Sequence, residues 1–202
     1  MPKIVDHDER RAHIARAVTN VILRDGVEGA TMREIAHEAG YAHGAIARYF
    51  PNKQSLIAAS YLYVFEDSEQ RVLKEAEHVR GLAALERMSR QILPYREIGA
   101  AKSKVVVAFW ALAAQDKELE KLHQVKIAER RQIIRRFLTE AQEDGELAAH
   151  VNVETAVDEI SARNAGWQMM AVLVPEALTD ERIENSLQAL LSELRVPEGG
   201  NA

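Results

Sequence analysis

The side chains best suited to chemistry lie close together near the N-terminus, in residues 31–56, which read TMREIAHEAGYAHGAIARYFPNKQSL. The cationic and hydrogen-bonding residues of this stretch include Thr31, Arg33, His43, Arg48, Tyr49 and Lys53. Arg and Lys neutralise phosphate groups, and Arg also binds guanine through two parallel hydrogen bonds. These residue types are compatible with binding of nucleic acid.

Other kinds of chemistry find little support. The chain has no Cys, which excludes disulfides, Cys-ligated zinc and thiol nucleophiles. It has no His-Glu-x-x-His motif and no Gly-rich phosphate loop. A serine triad is compatible with the sequence, but nothing favours one. We therefore predict a protein that is not an enzyme and that needs no metal or cofactor.

Composition and charge indicate a soluble globular protein. Of the 202 residues, 47% are hydrophobic and 28% are charged, unlike a disordered chain. The net charge is −5, yet residues 1–56 carry 8 Lys and Arg against 7 Asp and Glu. The chain starts without an apolar signal segment, and its longest apolar run, residues 105–114, is about half of what spans a bilayer. We expect a cytoplasmic protein without a membrane anchor.

Hydrophobic residues recur at helical spacing through almost the whole chain, which predicts an all-α fold of about nine helices. The expected helices span residues 6–25, 31–39, 43–50, 53–79, 82–93, 99–115, 117–143, 153–174 and 180–194. The expected N-terminal caps are Thr31, Asn52, Asn152 and Thr179. The tail, residues 197–202, is expected to be disordered.

The second and third helices are short, and Gly40 marks a tight turn between them, which predicts a helix-turn-helix. The expected contacts between the two helices come from Ile35, Ala36, Ala39, Ile46 and Phe50. The positions left to face a DNA major groove are His43, Gly44, Ala47, Arg48 and Tyr49.

This stretch is similar to the signature of the TetR family of transcription factors. The matching residues are Thr31, Ile35, Ala36, Ala39, Gly40, Gly44, Tyr49, Phe50, Lys53 and Leu56. The resemblance implies a three-helix DNA-binding domain in residues 1–52 and a larger helical ligand-binding and dimerisation domain in residues 53–196. It also implies a homodimer on a palindromic operator of double-stranded DNA. By resemblance, we expect a repressor that a small-molecule effector releases from its operator.

The resemblance also gives roles to the DNA-facing residues. Thr31, Arg33, Tyr49 and Lys53 are expected to contact backbone phosphates, and His43 and Arg48 to read base edges. Gly44 and Ala47 complete the face. The sequence departs from the family at Ala42, where a Ser or Thr usually caps the recognition helix, and at Ala47, where a Tyr is usual.

The remainder of the chain is similar to the C-terminal domain of BetI-type regulators, which respond to small metabolites. Its apolar helices predict a cavity lined by Phe65, Met88, Ile92, Phe109, Trp110, His123, Ile127, Asn164 and Trp167. The alternative is that these residues are ordinary core. Trp110 and Trp167 together are also compatible with an aromatic cage for a quaternary amine.

The last two helices carry apolar stripes that serve either the monomer core or a dimer interface. From the resemblance we expect part of each stripe in the interface, drawn from Val157, Ile160, Ala171, Ile183, Leu187, Leu190, Leu191 and Leu194. In the expected mechanism, ligand shifts the helix that starts at Lys53 and so changes the spacing of the two recognition helices. The alternative function is a helical ligand- or protein-interaction module with degenerate DNA binding, which Ala42 and Ala47 favour.

Overall fold

The computed structural model describes residues 7–197, apart from the side chain of Glu97. Nine α-helices make up this part of the chain: α1 His7–Gly29, α2 Met32–Ala39, α3 His43–Tyr49, α4 Lys53–Glu75, α5 Gly81–Ile92, α6 Arg96–Ala113, α7 Lys117–Glu143, α8 Val153–Leu173 and α9 Asp180–Leu194. A 3-10 turn, Pro175–Ala177, joins the last two. The prediction of an all-α fold with nine helices is confirmed. The predicted start at residue 6 and all of the predicted tail beyond Pro197 lie outside the described residues.

Helix boundaries agree with the sequence where the signal is local. Asn52, Asn152 and Thr179 each accept a hydrogen bond from a backbone N–H of the first turn, as expected of N-caps. The predicted end of α1 near residue 26 coincides with a break in the helical backbone, because Gly26 has a positive φ of 75°. One further turn then leads to Gly29.

Two boundaries differ from the prediction, and at each of them a distant side chain forms a hydrogen bond with the terminal backbone group. Helix α4 ends at Glu75 rather than near residue 79, and Nη1 of Arg87 donates to the Glu75 carbonyl at 3.0 Å. Helix α6 starts at Arg96 rather than residue 99, and the Arg96 N–H donates to Asp180 Oδ1 at 2.8 Å. Neither partner is adjacent in sequence, so no local pattern indicates these boundaries.

The N-terminal core joins α1–α3 to α4 and α6 without a gap. Ile14, Val18 and Ile46 are fully buried in the same cluster as Tyr61 and Phe109. The rings of Tyr61 and Phe109 stack at 3.9 Å. The domain boundary predicted after residue 52 therefore does not coincide with a break in the hydrophobic core.

The C-terminal core packs α5, α7, α8 and α9 around the end of α4, with Leu85, Phe137, Val157 and Leu187 at its centre. All eight residues predicted for the dimer interface are buried within the monomer, and none exposes more than 5% of its surface. A side chain already buried in the monomer has almost no apolar area left to bury against a partner. This burial contradicts their use in a dimer interface and favours the monomer-core alternative. None of the described helices is both long and apolar enough to cross a membrane.

Candidate DNA-binding surface and ligand cavity

The turn between α2 and α3 is a tight left-handed turn at Gly40, which has φ 69° and ψ 28°. The Gly40 N–H donates to the His37 carbonyl at 3.2 Å, and the Tyr41 N–H donates to the Ala36 carbonyl at 2.9 Å. These two bonds form a Schellman motif, in which a non-glycine residue at Gly40 would be strained. The motif ends α2 and lets α3 cross it, as a helix-turn-helix requires.

The side chains predicted to hold the two helices together are buried as expected: Ile35, Ala36, Ala39, Ile46 and Phe50. At the start of α2, the Thr31 hydroxyl accepts a hydrogen bond from the Glu34 N–H at 3.2 Å. Thr31 itself stays exposed at this helix start. Free N–H groups and a hydroxyl at a helix N-terminus suit a phosphate.

One face of α3 is exposed and carries four of the five residues predicted to face DNA. His43, Gly44, Ala47 and Arg48 are exposed, and Tyr49 is half-buried. In the described part of the chain, no carboxylate lies within 4.0 Å of the Arg48 guanidinium. The face presents one strong cation together with small residues that allow close approach of a base pair.

Two further predicted cations flank this face. Arg33 exposes 90% of its side chain, with Glu34 at 3.9 Å, and Lys53 exposes 43%, with Glu28 at 3.7 Å. Exposed pairs at such distances are weak. Both cations therefore remain available to phosphate.

The start of α1 brings further residues to the helix-turn-helix that were not predicted from the sequence. The guanidinium of Arg10 lies over the Tyr41 ring, and that of Arg11 lies over the Phe50 ring, at 5.5 and 5.0 Å. His7 Nδ1 lies 3.0 Å from the Tyr49 hydroxyl. The packing of α1 across α2 and α3 brings these residues to the motif, and the sequence signal was only the adjacent pair Arg10-Arg11.

Helix α3 has no side-chain cap at its N-terminus. Ala42 has the extended backbone of an N-cap residue, with φ −66° and ψ 144°, but its side chain makes no capping hydrogen bond. The first N–H groups of α3 therefore lack a local side-chain acceptor.

A cavity of about 140 Å³ lies between α4, α5, α6, α7 and α8. Six of the nine predicted ligand residues line it: Phe65, Ile92, Trp110, His123, Ile127 and Asn164. The other three lie outside it. Met88 is buried in the C-terminal core, Phe109 stacks behind Tyr61, and Trp167 donates to the Ser186 hydroxyl. Because Trp167 is not in the cavity wall, the two Trp residues do not form a shared cage.

Aromatic side chains line the end of the cavity nearest the N-terminal core. The Tyr61 hydroxyl lies 3.0 Å from His123 Nδ1, and Trp110 lies edge-on to the His123 ring. Burial raises the pKa of Tyr61 and lowers the pKa of His123. Both groups are therefore favoured in their neutral forms. Trp110 Nε1 is buried and has no hydrogen-bond partner among the described residues.

Cations line the opposite end and one side. Asp67 Oδ2 accepts from both Arg71 Nη1 and Lys102 Nζ. Burial opposes ionisation of Asp67, but the hydrogen bonds from Lys102 and Arg71 outweigh it and lower its pKa. Arg130 lies over the Phe65 ring at 4.4 Å. Burial lowers the Arg130 pKa, which the nearby Glu69 carboxylate opposes.

The protein has an exposed helix-turn-helix and a helical body with a cavity. Together these features indicate the class of ligand-binding transcriptional regulators. Comparison with known families narrows this class. Residues 14–60 match the bacterial regulatory proteins of the tetR family, and residues 82–196 match the BetI-type transcriptional repressor C-terminal domain. The chain therefore belongs to the TetR family of transcriptional regulators, with a C-terminal domain of the BetI type. This membership agrees with the prediction that it is not an enzyme.

Individual relatives are similar over part or most of their length. The chain is 37% identical to the transcriptional regulator PksA of Bacillus subtilis over 122 residues, which cover 59% of this chain and 58% of PksA. The match therefore spans less than two thirds of that relative. The chain is 28% identical to BetI of Vibrio atlanticus over 171 residues, covering 81% of this chain and 84% of BetI.

A solved structure shows the same fold over nearly the whole chain. A transcriptional regulator from Saccharomonospora viridis in complex with choline superposes with a TM-score of 0.82. The match covers 95% of this chain and all of that one, at 17% sequence identity. At this identity the likeness shows a shared fold, and its choline belongs to that protein.

Proposed function

We propose that the protein is a homodimeric cytoplasmic repressor that binds a palindromic operator and is released by a small-molecule effector. The exposed face of α3, with Arg48 and the flanking Arg33 and Lys53, carries this proposal. These three residues are exposed cations on α2, α3 and the first residue of α4, and the exposed face of α3 also carries small side chains at Gly44 and Ala47. Arg48 and His43 read base edges, and Thr31, Arg33, Tyr49 and Lys53 contact phosphates.

The cavity supports control by a ligand because its walls are continuous with the DNA-binding domain. Tyr61 on α4 and Trp110 on α6 line the cavity. The neighbouring residues Ser60 and Phe109 are buried in contact with the N-terminal core, and the Ser60 hydroxyl lies 2.7 Å from that of Thr19 on α1. A ligand that displaces α4 or α6 therefore displaces α1. DNA and ligand then favour different arrangements, and each weakens the binding of the other.

DNA binding by the purified protein tests this function directly. The DNA comes from upstream of its own gene and from selection out of random sequence, and binding is titrated with salt and competitor DNA. We expect competitor-resistant binding, a footprint with two-fold symmetry, and steep weakening with salt. If neither source yields competitor-resistant binding, the regulator proposal is wrong.

A phosphate contact at Lys53 gives a sharper version of this test. Each lost phosphate contact lowers the slope of log affinity against log salt by about 0.9, so Lys53→Ala in both protomers lowers it by about 2. Lys121→Ala is the matched control, because Lys121 is an exposed cation on α7. If the slope of log affinity against log salt is unchanged in Lys53→Ala, Lys53 does not contact a phosphate.

The dimer interface that we propose is the opposite, exposed face of α8 and α9. On α8, Ala162, Gly166, Met169 and Leu173 are exposed at spacings of four, three and four residues. On α9, Asn185, Ala189 and Ser192 are exposed in the same way. Small residues allow helices to approach closely, and the apolar end at Met169 and Leu173 has area to bury.

Two Ala→Glu substitutions separate an interface from ordinary surface. Ala162→Glu places a charge at the N-terminal end of the proposed interface on α8, whereas Ala111→Glu places the same charge on an exposed position of α6. We expect light scattering to give the monomer mass for Ala162→Glu and the dimer mass for Ala111→Glu and the parent protein. A dimeric Ala162→Glu protein places the interface elsewhere, and a monomeric parent contradicts the homodimer.

A further inference from the structure

The charged residues in the cavity wall are all of one sign. Among the described residues, four cations line the cavity, Arg71, Lys102, Arg130 and Arg131, and no carboxylate does. Their acidic partners, Asp67, Glu69 and Asp158, are not among the residues that line the cavity. A group inside the cavity therefore faces positive charge and hydrogen-bond donors.

Lys102 and Arg71, at one end of the cavity, have N–H donors that their protein partners do not use. An ammonium has three N–H donors and a guanidinium has five. Asp67 accepts one from Lys102 and one from Arg71, and Gln91 accepts a second from Arg71 at 3.1 Å. Two positive charges thus share one carboxylate, and both have N–H groups left for a second anion.

The aromatic rings of the cavity wall are only partly available to a cation. Arg130 lies over the Phe65 ring at 4.4 Å, and Phe109 covers a face of Tyr61 at 3.9 Å. The third aromatic residue, Trp110, presents a buried N–H without a partner in the described part of the chain. At this edge of the ring, the N–H donor attracts a hydrogen-bond acceptor and repels an ammonium.

The volume and length of the cavity limit the size of its occupant. A cavity of about 140 Å³ is close to the engineered apolar cavity of roughly 150 Å³ that binds benzene. Lys102 and Trp110 lie eight residues apart on α6, which corresponds to about 12 Å along the helix. Val106 lies between them in the wall, so the middle of the cavity suits an apolar group.

From this arrangement we propose that the effector is a small apolar carboxylate, about the size of one aromatic ring or a short alkyl chain. Its carboxylate accepts hydrogen bonds from Lys102 and Arg71, and its apolar body lies along Val106 towards Trp110. The proposal rests on the proposed function, because it names the chemical class of the ligand for the same regulatory cavity.

Three probes with the same ring and different charge test the proposal by isothermal titration calorimetry: benzoate, benzyl alcohol and benzyltrimethylammonium. Hexanoate replaces the ring by an alkyl chain. We expect saturable binding of benzoate or hexanoate, and at least tenfold weaker binding of the neutral and cationic probes and of choline. Equal or tighter binding of either cation overturns the proposal, as does an absence of saturable binding of both carboxylates.

Variants of α6 locate the carboxylate. Lys102→Gln removes one charged donor and is expected to weaken benzoate binding by about tenfold or more. Lys102→Arg keeps the charge and is expected to retain binding, which distinguishes a lost contact from a misfolded protein. Lys104→Gln is the matched control, because Lys104 is exposed on the same helix. Unchanged affinity in Lys102→Gln overturns the assigned contact.

The tryptophans provide an independent signal. Trp167→Phe leaves Trp110 as the single Trp of the chain, and benzoate is expected to change its fluorescence with the calorimetric affinity. Operator binding separates the two proposals. Benzoate binding without operator release keeps the ligand class and contradicts effector control. If choline releases the protein from its operator and the carboxylates do not, the regulator proposal stands and the carboxylate proposal is wrong.

Discussion

Cations line the proposed recognition surface, which is the exposed face of α3 together with Arg33 and Lys53, and they also line the cavity, but the protein holds the two sets differently. Arg33 exposes 90% of its side chain with only a distant carboxylate, whereas Arg130 exposes 10% and donates to Ser68 at 2.9 Å. Exposed cations add little to stability and remain mobile enough to follow a phosphate backbone. Buried cations need partners in the folded protein, and those partners hold them in place. The same residue types thus suit a long polyanion in one region and one small molecule in the other.

The largest effect is expected where the two regions meet, at Phe109. Phe109→Ala removes a fully buried ring that stacks on Tyr61 and should lower the free energy of unfolding by about 3–5 kcal/mol. Denaturant unfolding measures this loss, with Leu73→Ala as control because Leu73 is 52% exposed. A loss no larger than that of the control contradicts a shared core between the regions.

The next effect tests the contrast between buried and exposed cations. Arg130→Met leaves Glu69 without its partner in a site where that carboxylate is only 20% exposed, which should cost about 2–4 kcal/mol. Arg135→Met removes a cation whose partner, Glu154, is 61% exposed, and its unfolding midpoint should not change. Equal destabilisation of the two variants contradicts the contrast.

On the recognition surface, a substitution should change binding and leave stability alone. Arg48→Ala is expected to cost about 1–3 kcal/mol of operator affinity and to relax the preference at one base pair per half-site. Lys53→Ala should instead weaken binding to all sequences alike. Binding to operators with single base changes measures both effects. If Arg48→Ala instead weakens binding to all of these operators equally, Arg48 contacts a phosphate and not a base.

The recognition surface was predictable from sequence because its determinants are local. Gly40, the Thr31 cap and the spacing of Ile35 and Ile46 lie within sixteen residues, and helical periodicity then fixes which side chains of α3 are exposed. Arg10 and Arg11 were missed because only the packing of α1 across the motif brings them there.

The cavity was predictable only in part because five helices must converge to form it. Periodicity located apolar positions such as Ile127 and Trp110 correctly, but it does not separate residues that line a cavity from those one turn away, such as Phe109. Periodicity also did not predict Arg71 and Lys102 in the cavity wall, because charged residues in a helix are usually expected on the solvated surface. Part of each apolar stripe of α8 and α9 was expected in a dimer interface from the family resemblance, although an apolar stripe fits the monomer core equally well and these residues are buried there.

A smaller effect concerns the missing cap of α3. Ala42 has an extended backbone suited to an N-cap but no side-chain acceptor, so Ala42→Ser should raise the free energy of unfolding by about 1 kcal/mol. Ala47→Ser is the control, because Ala47 is exposed inside the same helix and adds no cap. Thermal unfolding compares them, and a gain equal in both variants contradicts the capping explanation.

The smallest effect is a pH dependence that belongs to the cavity. Burial lowers the pKa of His123 in the folded protein, whereas an unfolded His titrates near about 6.5. As the pH falls through that value, the unfolded chain binds a proton that folded His123 still resists. The stability due to neutral His123 is therefore full well above a pH of about 6.5 and is lost over the interval below it. His123→Gln should lose less stability over this interval in denaturant unfolding at each pH. Identical pH profiles show that burial does not disfavour the protonated form of His123.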